Sequence, residues 1–200
     1  MKPLIKHTLT FLLLSLLSIT AVAQDYKANI KQSFTEYTRC MMTGELDKSL
    51  NYLLPTMFTL VPREQLLAAM EQTLKGKEIE IKFISFDIKE ISNSNKIDTC
   101  YYAKVSYVSD MNIKMNLNKV ESSEEKTKRL SIMKEAIAQG FKTEVKLDEA
   151  TETFTMAPTK TSWAISKNGQ TDWKFFNVEP GGKLIMEKLL PKELIDESIN

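Results

Sequence analysis

The chain has 200 residues with 27 basic and 26 acidic side chains, and this balance excludes the basic surplus that nucleic-acid binding needs. Its single histidine, His7, lies in an N-terminal apolar segment, so the rest of the chain has no imidazole for Ser-His-Asp or Cys-His catalysis and lacks the commonest transition-metal ligand. Only Arg39, Arg63 and Arg129 among the basic residues carry a guanidinium, so forked recognition of phosphate or carboxylate is scarce and a lysine-rich solvated surface is expected.

Residues 1–23 read as a cleavable export signal. Met1, Lys2 and Lys6 form a basic start, Leu9 to Ile19 an apolar run, and Ala21-Val22-Ala23 a small-x-small cleavage pattern with the cut before Gln24. The run is shorter than the roughly 20 apolar residues of a membrane span. A periplasmic or secreted protein is therefore expected, with no stable membrane anchor after cleavage. The remaining 177 residues, 25 basic against 26 acidic, suit one domain over 24–180 with a tail over 181–200.

Ile30, Phe34, Tyr37 and Met41 recur at three- and four-residue steps and predict a first helix from Tyr26 to Met42, closed by Gly44. Asp47 caps a second, with Leu46, Leu50, Leu53 and Leu54 as its stripe up to Pro55. Met57 to Val61 is read as a buried connector, and Pro62-Arg63-Glu64 opens a third helix through Leu66, Leu67, Met70 and Leu74 to Gly76. The period then changes to two. Ile79, Ile81 and Phe83 alternate with charge, while Ile84, Phe86 and Ile88 continue in the other phase, as at a β-bulge. After a turn at Asn93-Ser94-Asn95, a long strand carries Tyr101, Ala103, Val105, Tyr107, Met111, Ile113, Met115 and Leu117 on one face.

An inserted helix is predicted over 122–140, with Ser122 and Glu125 at capping-box spacing and Leu130, Met133 and Ile137 as its stripe, Ala136 beside them. That stripe is narrow, so the helix is expected to be a movable surface cover. Strands resume at Thr143 to Leu147 and at Phe154 to Met156. Thr161, Trp163 and Ile165 lead into Asn168-Gly169, a hairpin signal, and the return strand is Trp173 to Val178. The tail from Leu184 to Ile199 is helical and broken at Pro191. Cys40, on a helix, and Cys100, on a strand, form a candidate disulfide; the other reading is two separate thiols acting as small hydrophobes.

Three N-terminal helices, a bent antiparallel sheet and a final strand reading Asp172-Trp173-Lys174-Phe175-Phe176 resemble the NTF2-like superfamily, SnoaL-like members included, over Tyr26 to Val178. A cystatin-like sheet on fewer helices is the nearest alternative. The resemblance implies an α+β fold with N-terminal helices packed on a strongly bent sheet in a cone, and a pocket between the helices and the concave face. The inserted helix and the tail depart from the family's pattern.

A pocket there would be walled by Tyr101, Val105 and Tyr107 against Phe34, Tyr37 and Met41, with Trp163 as a further candidate; the same aromatic residues could equally fill a core. No cofactor or metal site is expected, since Asp148, Glu149 and Glu152 lack the spacing of a calcium loop. The leading expectation is an exported, non-catalytic domain that binds a small apolar or amphipathic ligand or a protein partner. One alternative is a small hydrolase or isomerase with a pocket carboxylate as base, for which Asp87, Asp98 and Asp110 are the candidates and Tyr101 and Tyr107 the oxyanion donors. Another is a structural interaction module whose cavity is filled.

Overall fold

The computed structural model describes residues 26–74, 76–117, 120–179 and 182–199. The expected export signal and the cut before Gln24 lie outside the described residues. The fold is α+β. Helix α1 runs through 26–43, followed by α2 (Leu46–Ser49), α3 (Met57–Leu60) and α4 (Arg63–Leu74). Strands β1 (Ile79–Ile91), β2 (Asn95–Ile97) and β3 (Cys100–Met115) come next, then α5 (Ser123–Phe141). Strands β4 (Val145–Asp148), β5 (Thr153–Met156), β6 (Thr159–Ser166) and β7 (Lys174–Val178) complete an open seven-stranded antiparallel sheet, and α6 (Lys183–Leu189) and α7 (Lys192–Ile199) follow. β3 is the axis of the sheet: β1 and β2 pair along one side of it, β6 and β5 along the other.

The end of α1 shows how local chemistry sets the chain's course. Gly44 takes φ of 73°, a left-handed conformation open to a residue without Cβ, and Glu45 N–H donates to the Cys40 carbonyl at 2.9 Å while Gly44 N–H reaches Met41. This closing motif turns the chain directly into α2. Asp47 does not cap that helix; Glu45 occupies the cap position, and the Asp47 carboxylate instead pairs with Arg63 at 2.9 Å. The expected buried connector at Met57 to Val61 is the short helix α3, with no buried residue, because Pro55 and Pro62 isolate one turn at the surface.

In β1 the phase slip is a bulge, and there are two of them. Ile79, Ile81 and Phe83 lie opposite Met115, Ile113 and Met111; Ile84 is then the extra residue, and Phe86 and Ile88 lie opposite Ser109 and Tyr107. A second slip at Lys89 brings Ile91 opposite Val105. Cross-strand partners share a face, so both slips keep the apolar residues on the Tyr107 side of the sheet. Ile84, squeezed out, is 49% exposed.

That side of β3 carries α1 over its first half and α5 over its second. α5 covers the second half of β3 and is fastened there by its apolar stripe. Leu130 is fully buried, and Met133, Ile137 and Phe141 join it over Met111, Ile113, Phe154 and Met156. The Ser122–Glu125 capping box is formed. The helix passes Gly140 and ends at Lys142 in a left-handed conformation (φ 50°). Arg129 holds Glu121 at 2.6 Å and Glu152 at 3.0 Å, tying α5 to the β4–β5 turn. Hydrogen bonds from Lys126 and Arg129 keep the Glu152 carboxyl below the usual carboxylate range.

The opposite face is covered by the tail, which is not an appendage. Met186, Leu190, Leu194 and Ile195 of α6 and α7 are buried against Tyr102, Trp163, Ile165 and Phe176. The middle of the sheet is thus sealed on both faces. The Asn168-Gly169 signal lies in the loop of the expected hairpin, which β6 and β7 form as antiparallel neighbours. Ile165 pairs with Lys174, and Asn168 Oδ1 accepts from the N–H groups of Gln170 and Thr171 at 2.9 and 2.8 Å.

Candidate functional site

Phe34, Tyr37, Val105 and Tyr107 converge in one buried cluster with Ile30, Leu50, Trp173 and Phe175, and Met41 and Tyr101 pack at its border. Their rings are in direct contact. Phe34 sits 4.9 Å from Tyr107 and 5.1 Å from Phe175 between centroids, and Tyr37 lies nearly parallel to Phe175 at 5.8 Å. Six of the seven residues expected to line a pocket are therefore brought together, as mutually packed side chains. The seventh, Trp163, is elsewhere. It lies opposite Lys104 in the ladder, on the other face, and its indole N–H donates to Ser198 Oγ at 2.9 Å.

One polar contact lies inside the aromatic cluster. Asn177 Nδ2 donates to the Tyr37 hydroxyl at 2.9 Å, while Asn177 Oδ1 and Ser109 Oγ are buried without a partner among the described residues. Burial pushes the Tyr37 phenol up to about 12, with the Asn177 bond opposing and Glu179 adding to the shift. Tyr107 moves in the same direction, mainly by burial. Both phenols are neutral at physiological pH.

The carboxylates do not join them. Asp110 accepts from Ser85 on the opposite face of the sheet, Asp87 is ion-paired with Lys89 and 65% exposed, and Asp98 is exposed in the β2–β3 turn at φ 52°. Asp148 accepts from the Thr151 hydroxyl at 2.8 Å and from backbone N–H groups of its own turn. No group of three or more His, Cys, Asp or Glu side chains that could hold a metal ion occurs among the described residues, and none of the described helices is long and apolar enough to cross a membrane.

Cys40 and Cys100 are free thiols, so the candidate bridge is not formed. Strand alternation explains this. Cys100 shares the side of Tyr102 and packs with the cluster under α6 and α7, whereas Cys40 rides on α1, whose Phe34 and Tyr37 meet the other face. Burial raises the Cys40 thiol above its usual value.

Open space lies outside this aromatic cluster, at residues not expected to line a pocket. A groove of about 820 Å³ runs between the end of α5, the start of β6, the end of β7 and the helices α6 and α7. Phe141, Ala157, Pro158, Val178 and Met186 supply its apolar wall. Four lysines (Lys104, Lys142, Lys160, Lys183) and two glutamates (Glu179, Glu197) line it as well. Lys160 is the most constrained of these: its ammonium bonds both Glu179 oxygens at 2.8 and 2.9 Å and lies 5.4 Å from the Phe141 ring centre. Lys104 pairs with Glu197 at 3.1 Å. The four-residue spacing of Met186, Leu190 and Leu194 was the signal that the tail docks on the sheet; the groove follows from that docking.

No family model, curated protein or solved structure matches the chain.

Proposed function

We propose that this is an exported, non-catalytic binding domain of NTF2-like type, and that its ligand is a small amphipathic molecule held in the groove between α5, β6 and the α6–α7 pair. The observation that carries the reading is the groove itself. Its volume falls within the several-hundred-Å³ range of small-molecule sites, and an apolar wall with a few polar groups is the lining such sites use. The export signal over 1–23 supports the location, and the order of helices and strands supports the fold type. Two features favour the groove over the space between α1 and the sheet. The rings there are in contact, and Asp87 and Asp110, two of the expected bases, are held by Lys89 and Ser85 instead.

The test is calorimetric titration of the mature chain with decanol. Saturable binding at one site is expected. Thr159→Trp, which places an indole at an exposed groove-lining strand position, should abolish binding without lowering the unfolding temperature. Binding that survives Thr159→Trp would move the ligand elsewhere, and no binding of any decyl amphiphile would end the reading.

A further inference from the structure

The groove's charges are unevenly used. Both glutamates are consumed: Glu179 by Lys160 and Glu197 by Lys104. Of the other two lysines, Lys183 has its nearest carboxylate, Glu187, at 3.9 Å, one turn along α6 and outside the groove. Lys142 makes no ion pair among the described residues. The lining therefore carries two positive charges that its own carboxylates do not balance, beside an apolar wall of low dielectric. In a cleft such walls focus field lines and raise the local concentration of the opposite charge. No arginine lines the groove, so selection acts through point charges and not through a planar fork.

From this we infer that the ligand is an anionic amphiphile: a single apolar chain lying along Phe141, Ala157 and Val178, with an oxyanion head drawn by Lys142 and Lys183. The inference rests on the groove being the ligand site, and it adds the sign of the headgroup. Point-charge selection implies that carboxylate and sulfate heads are accepted alike.

A matched decyl series tests it: decanoate, decyl sulfate, decanol and decyltrimethylammonium, each titrated below its micelle concentration. Decanoate and decyl sulfate should bind at least tenfold more tightly than decanol, with the cationic member weakest. Raising salt from 0.05 to 0.5 M should reduce anion binding and leave decanol unchanged. The double substitution Lys142→Gln with Lys183→Gln should bring decanoate down to decanol's affinity, and unchanged decanol binding will show that the groove is intact. Equal binding of decanol and decanoate would overturn the anionic head while sparing the groove. Anion preference that persists in the double variant would overturn the two lysines as its source. Failure of every decyl compound would remove the groove as a site, and this inference with it.

Discussion

The two faces of the central sheet are covered by different means. On one face, rings from α1, β3 and β7 meet edge-on and in parallel, so that Phe34, Tyr37, Tyr107 and Phe175 leave each other no slack. On the other, two short helices joined at Pro191 lay Met186, Leu190, Leu194 and Ile195 over Trp163 and Phe176. Their ends border the groove. One long helix with a continuous aromatic stripe can seal a curved surface; two short ones seal part of it and leave an opening where they stop. The first face provides rigidity and the second provides room.

Truncation should separate the two. Phe34→Ala removes a fully buried ring from the packed face and should cost about 3–5 kcal/mol of unfolding free energy, read by urea denaturation. Leu194→Ala on the groove face should cost about 2–3 kcal/mol, since α7 lies beside open space into which neighbours can relax. Equal losses would mean that α6 and α7 are as integral to the core as α1.

Alkali sharpens the contrast on the aromatic side. The folded Tyr37 phenol titrates near 12, against an ordinary value near 10, so the fold favours its neutral form. Its contribution is complete below pH 10 and is lost as the pH rises through 12. Wild type should therefore lose stability across that window. Tyr37→Phe should lessen the loss without removing it, because burial raises the Tyr107 phenol as well, and, by leaving the Asn177 amide without its partner, should cost about 1 kcal/mol at neutral pH. An unchanged alkaline limb would place the titration elsewhere.

A smaller effect is expected at the far end of the same face. Ser122→Ala breaks the capping box of α5 and should cost about 1 kcal/mol. Amide exchange should quicken in the first turn of α5, while the α1 amides stay protected. Acceleration throughout α5 would show that the helix is held by its cap more than by Leu130.

Local chemistry was readable in the sequence and long-range pairing was not. The stripe Ile30, Phe34, Tyr37, the capping box at Ser122 and Glu125, and the slip at Ile84 each depend on residues within a few positions, so pattern alone revealed them. The side on which Trp163 falls depends on its partner Lys104, 59 positions away in the chain. The same limit hid the groove, whose walls come from β3, α5, β6, β7 and the tail. Lys142 and Lys183 look like ordinary solvated lysines until the fold places both at one opening.

The two bulges of β1 have a consequence for the molecule in company. β1 pairs with β3 along one edge only, and its other edge has no strand beside it among the described residues. An unpaired edge of this length is a template on which a second chain could add a strand. The ladder is interrupted at Ile84 and again at Lys89, so its regular stretches span only 79–83, 85–88 and 90–91. A straight incoming strand would lose register after five residues and meet charged side chains such as Lys82 and Lys89 along the way. The irregularities that keep the buried face in phase also shield the edge of β1 from edge-to-edge aggregation.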